Sequence, residues 1–224
     1  MSKLATKLLT ILFLLVGAQV LYSQNISDVF LKMPTSIAPT LSEQQRFEML
    51  EYYKSNKNDS VKNRYGNYVK ILNLDTTNQH ITAKTTENNL IEIKFFKTQE
   101  NDILIGVINT VLSPVEISNI QCFDLNWRVS KIQFSKPNSA KWIKKNISNS
   151  AETYQTWLRN IAEQSFVKLE FSKSDYQIIV TNQIQDFVSQ ENKKELIGLM
   201  DNQPLVYELN GNEWKLKETT SSKQ

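Results

Sequence analysis

The feature that most constrains the fold is an alternation of apolar and polar side chains between residues 68 and 134. A period of two is typical of β-strands, whose successive side chains point to opposite faces. The polar connections between these segments are too short to hold crossover helices, which favours antiparallel pairing. The sequence therefore predicts a β-meander. Its predicted strands are 68–74, 80–86, 90–97, 102–112, 117–125 and 127–134.

The segment 102–112 differs from the other predicted strands because it is apolar on both faces. Ile105 and Val107 alternate with Leu104 and Ile108. A strand with two apolar faces is typically covered by other elements on both sides. We expect this strand to lie inside the sheet, with a packed layer above and below it.

The segment before the meander is predicted to contain one helix. Residues 24–41 contain two prolines and are predicted to be extended or rich in turns. Ser42 and Gln45 match a capping box, which predicts that a helix begins there and covers 43–54. The residues predicted to form its apolar face are Phe47, Leu50 and Tyr53.

The C-terminal third mixes helical and strand patterns. Asn210-Gly211 between two alternating segments is a strong hairpin signal, because both residues tolerate positive φ. The predicted elements are a helix over 150–164, strands 166–171 and 176–182, a helix over 190–200, and hairpin strands 204–209 and 213–217. The fold class is therefore α+β: an antiparallel meander with a few packed helices in one domain, 24–218, followed by a polar tail, 219–224.

Residues 1–23 have the order of a secretory signal peptide. Lys3 and Lys7 precede an apolar run over 8–16, and cleavage is predicted near Ser23 and Gln24. The run is too short to span a bilayer, and no later segment is long and apolar enough to do so. We expect a periplasmic or secreted protein.

The charge of the chain gives no sign of a nucleic-acid partner. The net charge is +3, and removing the two lysines of the leader brings it near +1. A near-neutral chain lacks the basic surface that binds nucleic acid.

Few side chains in this sequence are suited to catalysis. His80 is the single histidine and Cys122 the single cysteine, which excludes an intramolecular disulfide and any site with two histidine ligands. His80 is interpreted as an edge or turn residue and Cys122 as a small buried side chain. The alternative is a thiol–imidazole pair between them.

Other catalytic patterns are weak. Ser165 and Lys168 match the serine–lysine spacing of penicillin-binding enzymes, but they run into a predicted strand rather than a helix. Asp75, Asp102 and Asp124 are scattered along the chain. Because no pattern selects a pair, the sequence assigns no catalytic, cofactor-binding or metal-binding residue, and no cofactor.

Four tryptophans offer a ligand-binding alternative. Trp127 and Trp157 lie on predicted apolar faces and are interpreted as core residues, since large aromatic side chains dominate cores. Trp142 lies in a basic segment and is the one expected at the surface. Sugar binding through these tryptophans is a further functional hypothesis.

Two triplets resemble an O-glycosylation motif of exported Bacteroidetes proteins, in which an Asp precedes Ser or Thr. They would place glycans on Ser60 and Thr76, both in or beside predicted loops.

Several segments occur in an order that resembles the DUF3256 family, which comprises exported Bacteroidetes proteins with no assigned activity. They are DVFLKMP at 28–34, TLSEQQR at 40–46, LEYY at 50–53, CFDLNW at 122–127, the segment 191–196, and PLVYE at 204–208 followed by Asn210-Gly211. The resemblance implies a Gram-negative envelope location and supplies no catalytic residue.

The leading functional prediction is a non-enzymatic envelope protein that binds an envelope protein or glycan. It depends on the leader, the antiparallel pattern and the lack of catalytic groups. The alternative is a carboxylate-based hydrolase acting on glycan or peptidoglycan, because such an enzyme needs only two acids at suitable spacing and no histidine.

Overall fold

The computed structural model describes residues 25–56, 59–144, 156, 160 and 163–217. The predicted signal peptide, most of the predicted helix over 150–164, and the predicted tail lie outside the described residues.

Three α-helices and ten β-strands form the described part of the chain. The helices are α1 (Ile26–Lys32), α2 (Glu43–Lys54) and α3 (Gln190–Leu199), with short 3₁₀ turns at Ser139–Trp142 and Ile184–Asp186. The strands are β1 (Val61–Lys62), β2 (Tyr68–Asp75), β3 (His80–Thr86), β4 (Asn89–Lys97), β5 (Ile103–Val111), β6 (Ile117–Phe123), β7 (Val167–Phe171), β8 (Gln177–Asn182), β9 (Leu205–Asn210) and β10 (Glu213–Leu216).

The strands form two antiparallel sheets. The first sheet is a six-stranded meander in the order β1 to β6, and the second is a four-stranded meander in the order β10-β9-β8-β7. The α+β class, the antiparallel pairing and the single domain are confirmed. The sequence predicted the strands of the second sheet but not that they separate from the first.

The molecule has three layers, with the first sheet in the middle. Helices α1 and α2 lie over β1–β4 on one face, and the second sheet packs on the other through β7. The two faces of strand β4 follow the alternation in its sequence. Ile91, Ile93 and Phe95 belong to the core on the helix side, whereas Phe96 belongs to the core between the sheets.

Strand β5 is buried on both faces, as its sequence predicted. Ile105 and Val107 pack in the helix-side core, and Leu104 and Ile108 pack between the sheets. The last residue of the strand is not covered by other elements, since Val111 is 45% exposed.

Gly106 on β5 allows the two sheets to approach closely. A Cβ atom at this position would lie 2.8 Å from ring atoms of Phe96 and Phe171, both of which are buried. Since these rings interlock in the core between the sheets, any larger side chain forces them to shift.

The prediction that residues 24–41 are extended or rich in turns is wrong for their first part, because 26–32 form α1. Asn25 caps this helix by accepting a hydrogen bond from the backbone N–H of Asp28 at 2.9 Å. Ile26, Val29 and Phe30 recur at helical spacing and are buried. The two prolines follow the helix instead of preventing it.

Helix α2 has the predicted bounds and capping box, but its buried face is rotated from the predicted one. Phe47 is 46% exposed, while Met49 and Leu50 are buried. Arg46 is also buried, and its guanidinium donates to the carbonyls of Leu31, Leu41 and Met33. The bonds to Leu31 and Met33 satisfy carbonyls left free at the end of α1, and the bond to Leu41 satisfies one just before α2. The apolar pattern alone could not predict these bonds.

The predicted strand over 127–134 is wrong because the chain turns at its start. Trp127 has a φ of 61°, in the left-handed region. One carboxylate oxygen of Asp124 accepts hydrogen bonds from the backbone N–H groups of Asn126 and Arg128. Asp124 thus holds a tight turn where the alternation indicated a strand.

Beyond this turn, a side chain takes the place of a strand at the edge of β6. Phe123 and Val129 form an isolated bridge. The Gln133 amide then accepts from the N–H of Cys122 at 3.2 Å and donates to its carbonyl at 2.9 Å. The outer edge of β6 is therefore covered at its Cys122 end although no strand pairs with it there.

The predicted hairpin is confirmed as β9–β10. Asn210 is the last residue of β9 and pairs with Glu213, so the loop consists of Gly211 and Asn212. Gly211 takes the positive φ, 68°, that this loop requires.

We expect Gly106→Ala to lower the free energy of unfolding by about 1–3 kcal/mol, because the added methyl overpacks the intersheet core. The matched control is Gly198→Ala in α3, where a Cβ meets nothing within 4 Å. The control should be neutral or stabilising by up to about 1 kcal/mol. Urea denaturation measures both, and equal effects of the two substitutions would contradict this account of the packing.

Candidate ligand groove

Three ionisable side chains lie together between the sheets. His80 Nε2 is 3.3 Å from Glu92 Oε2, and Lys94 on the same strand as Glu92 is 1% exposed. Burial lowers the pKa of Lys94, although Asp175, Asp75 and Glu92 act in the opposite direction. Buried ionisable groups of this kind are common in active sites, so this cluster is a candidate catalytic site.

The partners of this cluster are backbone groups of the second sheet. Glu92 Oε2 accepts a hydrogen bond from the N–H of Phe171 at 3.2 Å, and Lys94 Nζ donates to the carbonyls of Ser172 and Lys173. His80 also lies edge-on to the Phe171 ring, with ring centroids 6.2 Å apart. His80, Glu92 and Lys94 therefore hold the end of β7 and the turn that follows it.

A second polar contact holds the middle of β7. The N–H of Leu169 donates to Ser118 Oγ at 2.9 Å, and Ser118 Oγ lies 2.8 Å from Thr110 Oγ1. Ser118 and Thr110 are both buried. Since buried N–H groups need partners, these hydroxyls have a structural role.

The structure does not support a thiol–imidazole pair. His80, Lys94, Gly106 and Cys122 are aligned across four successive strands. His80 and Cys122 are therefore separated by three strand spacings, about 14 Å. The Cys122 thiol is fully buried, and burial raises its pKa to about 12. The interpretation of Cys122 as a buried side chain fits this environment.

Ser165 and Lys168 do not form a catalytic pair either. Ser165 Oγ donates to the carbonyl of Pro137 at 2.9 Å. Lys168 lies on β7 and forms ion pairs with Glu116 at 2.8 Å and Glu170 at 3.4 Å. Each side chain has a separate structural partner.

The tryptophans occupy different environments. Trp142, expected at the surface, is 2% exposed and its Nε1 donates to the carbonyl of Gln203 at 2.9 Å, so this expectation is wrong. Trp214 is half-buried at the rim of the intersheet core. Trp127 is half-buried against Phe123, and Trp157 lies outside the described residues.

Two of the three scattered carboxylates meet in one open cleft of about 540 Å³, which we call the acidic cleft. Asp102 and Asp124 line it together with Glu100 and Lys131. Asp75 lies elsewhere, at the end of β2. One oxygen of Asp124 is already engaged by the turn described above, which leaves Asp102 as the freer candidate acid.

A second open groove, of about 380 Å³, lies on the helix side of β5 and β6, beside the helices. We call it the Trp127 groove. Its lining residues are Pro34, Ser36, Ile37, Val107, Asn109, Gln121, Phe123, Trp127 and Val129. Its floor is apolar, its rim carries neutral polar groups, and none of these nine residues is charged.

The polar side chains of the Trp127 groove are exposed and lack hydrogen-bond partners among the described residues. The side chains of Ser36, Asn109 and Gln121 make no hydrogen bond to any residue that the structure describes. Sequence reasoning missed Asn109 and Gln121. The available signal was that Asn109 interrupts the otherwise apolar series Ile105, Val107, Val111 on one face of β5.

The described residues contain no group of three His, Cys, Asp or Glu side chains placed to hold a metal ion. No described helix is both long and apolar enough to cross a bilayer.

The two candidate glycosylation residues differ in accessibility. Thr76 is exposed in the β2–β3 turn, whereas Ser60 is partly buried. The carboxylate of Asp75 bonds to the side chain and N–H of Asn78 and the N–H of Thr77, which lowers its pKa. Modification at either site stays a prediction.

The fold and the groove define an α+β protein in which a six-stranded sheet lies between helices and a second antiparallel sheet. The chain belongs to the family described as "Protein of unknown function (DUF3256)", which matches residues 18–214 and confirms the resemblance noted from the sequence. No curated protein matches the chain.

A solved structure has a similar fold. It is titled as a domain of an uncharacterized protein from Porphyromonas gingivalis W83, with a TM-score of 0.73 and 17% identity. The match covers 87% of this chain and 98% of that chain. At this identity the likeness establishes the fold alone.

We expect Cys122 to resist iodoacetamide in the native protein from pH 7 to pH 10, because the thiol is buried and its pKa is raised to about 12. The same reaction in urea should add one adduct per chain, as measured by intact mass. Rapid native labelling with an apparent pKa below 9 would restore the possibility of thiol chemistry.

Proposed function

We propose that the protein is an exported, non-enzymatic binding module of the cell envelope, whose ligand or partner occupies the Trp127 groove. The observation that carries this proposal is a division of roles between buried and exposed groups. His80, Lys94 and Cys122 are buried in the intersheet core, whereas the Trp127 groove presents unpaired neutral groups to solvent.

The export part of the proposal rests on the leader sequence. Residues 1–23 carry two lysines, an apolar run and a small residue before the expected cleavage point. The near-neutral net charge of the chain without its leader agrees with a role away from nucleic acid. A periplasmic or secreted location follows as part of the same proposal.

We expect a photo-crosslinking residue placed at Gln121 or Ser36 to capture the ligand or partner in the protein's native cells. The matched control is the same residue at Asn73, an exposed position on β2 of the same sheet. Mass spectrometry should find a product at both groove positions that is absent at 73. No product at the groove positions, or the same product at all three, would contradict the proposal.

The second candidate is a carboxylate-based hydrolase, favoured by the meeting of Asp102, Asp124 and Glu100 in the acidic cleft. Two carboxylates about 5–10 Å apart are sufficient for glycoside hydrolysis. Against it, one oxygen of Asp124 is held by two backbone N–H groups of its turn, so Asp124 is less free than Asp102 to move during a reaction.

We expect the purified chain without its leader to release no reducing ends from peptidoglycan. Asp102→Asn and the control Glu213→Gln, on the exposed strand β10, should therefore match the parent protein. Release that falls at least tenfold in Asp102→Asn and persists in Glu213→Gln would replace the binding proposal with the hydrolase.

A further inference from the structure

We infer that the Trp127 groove binds an uncharged carbohydrate, with a sugar ring packed on the Trp127 indole and its hydroxyls bonded to Asn109 and Gln121. This inference rests on the proposed binding function and names its ligand class. The carbohydrate assignment follows from the charge, the hydrogen-bonding groups and the backbone of the groove.

The charge of the groove selects a neutral ligand. None of its nine lining residues is ionisable at neutral pH. A ligand with a phosphate, carboxylate or ammonium group would lose hydration on entering without meeting an opposite charge, which is unfavourable. Anionic lipid headgroups and acidic glycans therefore fit this groove poorly.

The polar groups of the groove select a ligand rich in hydroxyls. A side-chain amide both donates and accepts hydrogen bonds, as a hydroxyl does, so Asn109 and Gln121 can each serve a sugar hydroxyl in either direction. Both amides lack partners in the described part of the chain. An acyl chain would cover these amides without bonding them, which carries the penalty of unpaired polar groups.

The backbone conformation at Trp127 points to a role of this side chain in binding. A left-handed conformation at a residue other than glycine costs about 1–2 kcal/mol, and such strain occurs often at binding sites. Trp127 has a φ of 61° and is fixed by the Asp124 turn. Its indole packs against Phe123, with ring centroids 5.5 Å apart, and lines the groove.

The indole supplies the apolar half of carbohydrate recognition. The face of an aromatic ring is electron-rich and attracts the weakly positive C–H groups of a pyranose ring. Trp127 and the two amides line the same groove of about 380 Å³, within the range of about 300–1000 Å³ typical of ligand sites.

An extended peptide is the main competing occupant, and the sheet offers it little. Strand β5 is paired on both sides, and the Cys122 backbone groups at the outer edge of β6 are bonded to Gln133 and Ser130. A peptide that binds by strand addition needs a free strand edge. Strand addition is therefore blocked at the Cys122 end of β6, which borders the groove, and recognition there depends on side chains.

The test is a titration of the chain without its leader, with neutral trisaccharides: triacetylchitotriose, cellotriose, maltotriose and mannotriose. Tryptophan fluorescence and calorimetry measure binding. We expect at least one to bind. Asn109→Ala and Gln121→Ala should each weaken its binding about three- to tenfold, the loss expected for one hydrogen bond. The control Asn73→Ala, which removes an exposed amide from β2, should bind as the parent does.

Trp127→Gly tests the stacking contact separately. Glycine adopts a φ of 61° without strain, so the turn should form and thermal unfolding can verify the fold. We expect the fluorescence change and most of the affinity to be lost. The acidic trisaccharide trigalacturonate should bind at least tenfold more weakly than the neutral ligand.

The outcomes separate this inference from the proposed function. No binding by any neutral trisaccharide, equal binding of trigalacturonate, or binding that the groove variants leave unchanged would each overturn the carbohydrate assignment. A crosslink at Gln121 to a protein, without sugar binding, would overturn it and leave the binding module standing. If neither a crosslink nor sugar binding is observed, the carbohydrate assignment and the binding module are both overturned.

Discussion

The structure depends on how the edge strand β7 docks against the face of the first sheet. The outward N–H groups of Leu169 and Phe171 would be buried and unpaired in any simple sheet-on-sheet packing. Ser118 and Glu92 supply the missing acceptors, and Gly106 makes room for the Phe171 ring. Because unpaired buried N–H groups are costly, polar side chains on β4 and β6 fix where the second sheet sits.

This docking also determines which surface is free. One face of β4–β6 is occupied by β7, so the histidine, the lysine and the cysteine that face it are enclosed. On the opposite face, α1 and α2 lie over β1–β4. The exposed parts of β5 and β6 beside them form the floor of the Trp127 groove. The layout of layers therefore leaves the groove as a surface that packing does not use.

Local patterns predicted most of the elements, whereas long-range pairing determined the rest. The alternation located β2 to β6, and Ser42 with Gln45 located the start of α2, since these signals lie within a few residues. The division into two sheets depends on contacts between β7 and strands some fifty to eighty residues away. Phe47 was predicted on the buried face of α2, but Arg46 takes that face because its guanidinium bonds to carbonyls at the end of α1. Trp142 was predicted at the surface, but it is buried and its indole N–H donates to the Gln203 carbonyl. The groove was missed for the same reason: Asn109 and Trp127 meet only in the fold.

The edge of β6 shows how the first sheet stops growing. A primary amide carries the same donor and acceptor as a peptide group, so Gln133 completes the ladder at Cys122 for one step and offers nothing to the next strand. A full strand there would itself have an outer edge with unpaired backbone groups. Exposed edges invite pairing between copies of a protein. Gln133 and the Phe123–Val129 bridge together leave the Cys122 end of this edge without free backbone groups for another copy of the chain to pair with.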